Sequence, residues 1–180
     1  FLTLVDVTQA KLKPLNLPHV GMTQVPDLID GQMGRMPQFI PTFQFIEWYL
    51  QMGKQKGWRI DFVPLFEYSS DVERMRGCVQ RARTLLDQYG FDATEIIWNG
   101  LAPDETVRTT EAGAQATIEM GKMLIEEGIE RACWDFLEDS EPASRSQSDT
   151  GLLEYQTLKE RPRYELAKRV CAMGLMGDER

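Results

Sequence analysis

Apolar strand-like runs and amphipathic helical patterns alternate along this chain at a nearly even spacing. That alternation restricts the fold more than any other feature of the sequence. Four runs fit strands: His19-Val20-Gly21-Met22, Ile60 to Phe66 (IDFVPLF), Thr94 to Trp98, and Arg131 to Leu137 (RACWDFL). The second is nearly all apolar, as expected of a parallel strand buried on both faces. Helical patterns fill the intervals. Phe39, Phe43, Ile46 and Leu50 recur at helical spacing up to Gly53 and Gly57. Val72, Met75, Val79, Ala82, Leu86 and Tyr89 make one apolar stripe, behind a candidate capping box of Ser70 and Glu73 and ahead of a stop at Gly90. Ala112 to Glu127 is the next helix, closed by Gly128. A short helix over Leu4 to Leu12 ends at Pro14, and Pro162 opens a last helix carrying Tyr164, Ala167, Val170 and Cys171. Residues 26–38, with two glycines and two prolines, and the polar stretch Glu138 to Thr150 read as loops.

The order is thus one helix followed by four strand-helix units, with strand centres near residues 20, 63, 97 and 133. The spacing suits βα units, so the expected fold is α/β, a single domain over 1–180 with parallel strands and right-handed crossovers. Periodicity leaves two architectures open. One is an open sheet with helices on both faces; the other is half of a (β/α)8 barrel. No glycine-rich phosphate loop follows any strand, which weakens the nucleotide-binding open sheet.

Charge narrows the partners. The net charge of −8 argues against nucleic acid, since phosphate binding needs a basic face, and fits solubility. No apolar run is long enough to span a bilayer, so no membrane partner is expected. Cys78, Cys133 and Cys171 are far apart and form no C-x-x-C pair; Cys78 and Cys171 read as buried small hydrophobes. His19 is the single histidine, and one histidine does not build a typical zinc site. No metal and no cofactor are expected. The acidic residues Glu138, Asp139, Glu141 and Asp149 match no EF-hand spacing and read as a solvated loop. The sequence starts at Phe1, inside an amphipathic-looking segment, which raises the expectation of a fragment.

Several motifs in order carry a family resemblance. IDFVPLFEY, a helix ending LLDQYGF, and TEIIWNG resemble the strand-helix-strand D-F-V-S-x-H-x-Y, L-x-x-x-G-F and T-E-L-I-x-N-E-W of family thirty-nine-type glycoside hydrolases, the β-xylosidase and α-L-iduronidase group. LVDVTQAKLKPLNLPHVG is similar to that family's fourth helix leading into strand five, ACWDFLED to strand eight, and GLLEYQTLKERPRYELAKRV to the tail in which GLL precedes a Pro-x-Tyr helix. The series spans nearly the whole chain. It implies the C-terminal half of a (β/α)8 barrel, strands five to eight, completed by an N-terminal half or by a homodimer. It also implies a carbohydrate as substrate or ligand.

The resemblance also marks what is missing. Retaining glycosidases use two carboxylates about 5 Å apart. The family's acid/base stands on strand four, which this chain does not contain. Its nucleophile falls on Gly100, a residue without a side chain. Pro64 and Phe66 replace the family's Ser and His, while Tyr68 is kept. Phe66 and Tyr68 share a parity that points to the barrel lumen, whereas Glu67, a weak substitute for the carboxylate, points away. Asn99 serves equally as the nucleophile's neighbour or as half of an Asn-Gly turn. Trp134 is placed as a sugar-facing ring and Trp98 as core. The expected catalytic set is therefore empty, with Tyr68, Asn99 and Trp134 as the substrate-binding candidates. The chain alone is expected to be inactive, either as part of a glycosidase or as a non-catalytic carbohydrate-binding or interaction module.

Overall fold

In a computed structural model of the chain, residues 2–17, 19–22, 42–104, 107, 110–134, 136–138 and 151–153 are described, with 160, 164, 165, 168 and 172 as single positions. The elements are α1 (Leu2–Leu12), α2 (Thr42–Lys56), β1 (Phe62–Tyr68), α3 (Val72–Tyr89), β2 (Glu95–Ala102), α4 (Glu111–Glu126), β3 (Arg131–Trp134), β4 (Phe136–Glu138) and β5 (Gly151–Leu153). A 3-10 turn over Lys13–Leu15 extends α1 through Pro14, close to the expected stop. Strands β1, β2 and β3 form one parallel sheet in sequence order; β4 and β5 pair in parallel as a second sheet. The fold is therefore α/β, as the alternation implies. The predicted loop at 26–38 lies outside the described residues.

The chain divides into two compact units, Phe1–Phe66 with Cys78–Ile97, and Glu67–Gly77 with Trp98–Arg180. The core of the first gathers Phe43, Ile46, Tyr49 and Leu50 of α2, Val63 and Leu65 of β1, and Val79, Ala82 and Leu86 of α3. The predicted α3 stripe is thus the buried one, and Cys78 is buried with it. Tyr49 packs its ring 5.3 Å from that of Trp58. The second unit buries Met75, Leu101, Ala114, Met120, Met123 and Leu124.

The run at His19–Met22 meets β1 through one parallel bridge, Gly21 with Phe62. The Met22 amide donates to the Phe62 carbonyl (2.9 Å), and the Asp61 amide to the Val20 carbonyl (2.7 Å). Gly21 lies so close to the Phe62 ring that any Cβ would overlap it. Pro64 faces the same side of β1 as Phe62 and has no N–H to continue such a ladder.

One device ends three helices. Gly57, Gly90 and Gly128 take φ of 64°, 78° and 62°, just beyond α2, α3 and α4. The next residue is apolar in each case, and its amide donates back into the helix: Trp58 to Gly53 (2.9 Å), Phe91 to Leu86 (2.8 Å), Ile129 to Leu124 (2.8 Å). This is the Schellman arrangement, in which glycine avoids the Cβ clash of the left-handed region. Each turn delivers the chain toward the next strand of the sheet.

Two expectations change. The Ser70–Glu73 capping box does not form. Asp71 caps α3 instead, its Oδ1 accepting from the Arg74 amide at 3.0 Å, because Ser70 is engaged elsewhere. The single strand expected over Arg131 to Leu137 is split. Its first half closes the main sheet, while Phe136 and Glu138 pair with Gly151 and Leu153, so β5 takes the second half's hydrogen bonds.

The two kinds of glycine in α3 predict opposite outcomes. Gly90→Ala forces alanine into a left-handed backbone and should cost about 1 kcal/mol or more. Gly77 sits exposed in mid-helix, where an added Cβ meets nothing within 4 Å. Gly77→Ala should therefore stabilise by about 0.5–1 kcal/mol. Urea unfolding midpoints of the two variants check the opposite signs.

Candidate functional site

Parallel pairing in sequence order sets the C-terminal ends of β1, β2 and β3 side by side. Neighbouring strands lie about 4.8 Å apart. Tyr68 is the last residue of β1 and Trp134 the last of β3, with Glu67 one place before Tyr68. The side chains of Glu67, Tyr68 and Trp134 lie outside the described residues.

On β2 the burial alternates. Ile96 and Trp98 are buried, while Glu95, Ile97 and Asn99 are half-buried. On β1, Val63 and Leu65 are buried and Phe62 and Phe66 half-buried. On these two strands up to Asn99, one face is thus covered and the other is partly open, with Pro64 buried on it. Asn99 belongs to the partly open face. Trp98 belongs to the covered one and is 0% exposed, which agrees with its reading as core. Its indole Nε1 is buried with no hydrogen-bond partner among the described residues.

Gly100 is buried and has φ of 90°. It lies within β2, which runs on to Ala102 instead of ending near Trp98. The alternation breaks at this glycine, since Gly100, Leu101 and Ala102 are all buried. Glycine is the residue that takes such a backbone without strain, and a glycine within a strand marks a local bend or bulge.

Beyond the strand ends, two turns carry a carboxylate that no sequence motif signals. The Ser70 amide donates to Asp104 Oδ2 at 2.8 Å, and the Asp104 amide donates to Ser70 Oγ at 3.1 Å. The signal available was Asp104 after a buried proline, Pro103, which alone reads as an ordinary turn. Further out, Arg76 of α3 bonds Glu126 (2.7 Å) and Glu127 (2.8 Å) at the end of α4, and Glu73 on its own helix. This cluster raises the Arg76 pKa and ties the two helices on their outer side.

A separate cleft of about 340 Å³ lies in the first unit, at residues that lead into β1. Asp6, Lys13, Asn16, Lys56, Trp58 and Arg59 are among its lining residues. The Trp58 indole donates to Asp6 Oδ1 at 2.9 Å, and Lys56 Nζ stands 3.4 Å from Oδ2. The indole N–H, and after it Lys56, holds the Asp6 carboxyl below its usual pKa of 3.8. Arg59 is turned away to Asp61 and to the Leu17 carbonyl. Among the described residues no three His, Cys, Asp or Glu side chains cluster as a metal site, and no helix is long and apolar enough to cross a membrane. Of the acidic stretch, Glu138 ends β4; Asp139, Glu141 and Asp149 lie outside the described residues.

No protein-family model matches the sequence, and no curated protein matches it. Solved structures do. The fold matches a glucosidase from Croceicoccus marinus with a TM-score of 0.68 and 19% identity, over 94% of this chain and 34% of that one. It also matches a GH128 subgroup I endo-beta-1,3-glucanase mutant from Amycolatopsis mediterranei, in complex with laminaritriose and laminaribiose. There the TM-score is 0.57 and the identity 16%, over 92% of this chain and 64% of the glucanase. The chain shares its fold with these glycoside hydrolases and spans about a third of the first and just under two thirds of the second.

Two measurements follow from the geometry. Gly100→Glu should destabilise the chain by about 1–3 kcal/mol, because the carboxylate residue must adopt a left-handed backbone at a buried position; thermal unfolding against wild type checks this. Asp6 is the acid-side case. Its folded pKa is depressed, so its contribution is fully present above the unfolded value of 3.8 and is lost as pH falls through the lower folded one. Asp6→Asn should flatten the stability profile between pH 4 and pH 2, as followed by Trp58-sensitive fluorescence unfolding, to about the degree one carboxyl allows.

Proposed function

We propose that this chain is the C-terminal half of a glycoside hydrolase-type (β/α)8 barrel, built to hold a carbohydrate at the strand ends and unable to hydrolyse one alone. The observation that carries the reading is the fold match to a glucosidase over 94% of the chain. The ordered motifs from LVDVTQAKLKP to GLLEYQ support it independently. So does the partly open face of the sheet, where Phe62, Phe66, Ile97 and Asn99 are left half-buried. A complete barrel fills that face with layers of side chains from all eight strands.

Within this reading Tyr68, Asn99 and Trp134 meet the sugar. The two aromatic residues stack on its apolar ring faces, and Asn99 hydrogen-bonds a hydroxyl. Double displacement needs one carboxylate to attack the anomeric carbon and another to protonate the departing oxygen. Gly100 provides neither at the nucleophile position, and the resemblance places the acid/base on a strand that none of this chain's motifs matches. Glu67 is the wrong parity for the lumen. The second reading is a non-catalytic glycan-binding module on the same scaffold, favoured by the glycine at residue 100. The sugar is a β-xyloside by motif resemblance, while the glucanase neighbour directs attention to β-1,3-glucans as well.

The purified chain should release no nitrophenol from aryl β-xylosides or β-glucosides above buffer. Release abolished by Glu67→Gln would overturn the inactive reading. Titration with xylotriose and laminaritriose should shift tryptophan emission at millimolar sugar; a flat response to both would remove the carbohydrate reading. Light scattering should show a dimer, or a stable complex once a separately made N-terminal half is added. A monomer that ignores the added half counts against barrel completion.

A further inference from the structure

We propose that Asp104 is a positioning residue for the carbohydrate site, acting through Ser70 to fix the spacing between the turns that follow β1 and β2. The inference rests on the carbohydrate reading above and adds a residue to that site.

Each turn has hydrogen bonds of its own among its described residues. After β1, Ser69 is 5% exposed and its Oγ accepts from the Asp71 amide at 3.0 Å, while Asp71 caps α3. After β2, Pro103 is buried, the Asp104 carbonyl accepts from the Val107 amide (3.1 Å), and the Val107 carbonyl accepts from the Thr110 amide (2.9 Å). Thr110 then caps α4 through the Gly113 amide at 3.3 Å. Between the described residues of these two turns the hydrogen bonds are the reciprocal pair of Ser70 and Asp104. The pair closes a ring in which each residue gives its backbone N–H to the other's side-chain oxygen.

Its placement gives the ring a use. Ser70 stands two residues beyond Tyr68, and Asp104 five beyond Asn99. A sugar held by residues on two strands needs those strand ends at a set separation, and misplacement of a support away from the ligand weakens binding. The sheet's own hydrogen bonds end with the strands; the clasp carries the constraint one turn further. The bond from the Ser70 amide ends on a carboxylate, and bonds to charged acceptors are stronger than neutral ones. The role asks only for an acceptor at Oδ2, which an asparagine carbonyl also supplies, as a weaker but sufficient partner.

That last point makes the test. Asp104→Asn, Asp104→Ala and wild type are titrated with laminaritriose and with xylotriose, and amide hydrogen exchange at Ser70 is measured in the same sugar-free samples. The expected result is affinity within about twofold of wild type for Asp104→Asn and a loss of about tenfold for Asp104→Ala, the range set by one charge-assisted bond. Ser70 exchange should stay slow in Asp104→Asn and speed up in Asp104→Ala. If Asp104→Asn binds as weakly as Asp104→Ala while its Ser70 amide remains protected, the carboxylate itself contacts the ligand and the positioning role is overturned. Unchanged affinity in Asp104→Ala overturns it as well. Absence of any sugar response in wild type removes the carbohydrate reading and the positioning role together, and slow Ser70 exchange there would show that the clasp exists all the same.

Discussion

Parallel strand pairing governs this molecule. Adjacent parallel strands cannot be joined by a tight turn, so each pair needs a crossover long enough to return the chain to the starting edge. Helices α3 and α4 supply those crossovers, and the same glycine-plus-apolar reversal ends both. Once every strand is entered from one side, every strand ends on the other. Tyr68 and Trp134, far apart in sequence, end their strands on the same side of the sheet for that reason, while Asn99 stands three residues before the end of β2. The clasp of Ser70 with Asp104 exists on that side because two successive turns must leave the sheet next to each other.

Much of this was legible in the sequence where a single physical rule decided the outcome. The α3 stripe and the stops at Gly57, Gly90 and Gly128 follow from helical periodicity and left-handed glycine, and the structure has them in place. The cap of α3 did not follow. Ser70 and Asp71 are both good capping residues, and the choice between them is settled by Asp104, 34 positions away, which no local rule sees. The division of Arg131 to Leu137 between two sheets has the same origin, since the partner that claims Phe136 to Glu138 lies at Gly151 to Leu153. Tertiary partners override local preference in both cases. At the site, Trp98 was legible as core from its apolar run, whereas Asp104 could not be found at all, because an Asp after a Pro is what any turn contains.

Gly100 shows how a residue can satisfy two accounts at once. By resemblance it marks a missing carboxylate; by backbone it is a glycine that its own conformation demands. The second account restricts the first. Were the absence of a side chain the whole difference from a retaining glycosidase, residue 100 would be free to sit in an ordinary extended conformation. Its φ of 90° and the loss of alternation at Leu101 and Ala102 mean that the surrounding strand has taken a shape for which a glutamate is a poor fit. A glutamate at residue 100 would therefore require the backbone there to move.

Two further features share one physical cause. Arg131, Ala132 and Cys133 of β3 are exposed, and one face of β1 and β2 is only half covered. Exposed strand residues and a thinly covered apolar face both leave groups that a parallel α/β sheet normally buries. Closing a barrel removes edges and fills the interior in one step, whereas an open sheet leaves its faces to be covered by helices. The fold match to the glucosidase, at 19% identity, shows a shared fold and says nothing of the side chains a site would carry. The chemistry possible here is set by side chains, which a shared fold does not carry; β2 of this chain offers Asn99 but no side chain at Gly100.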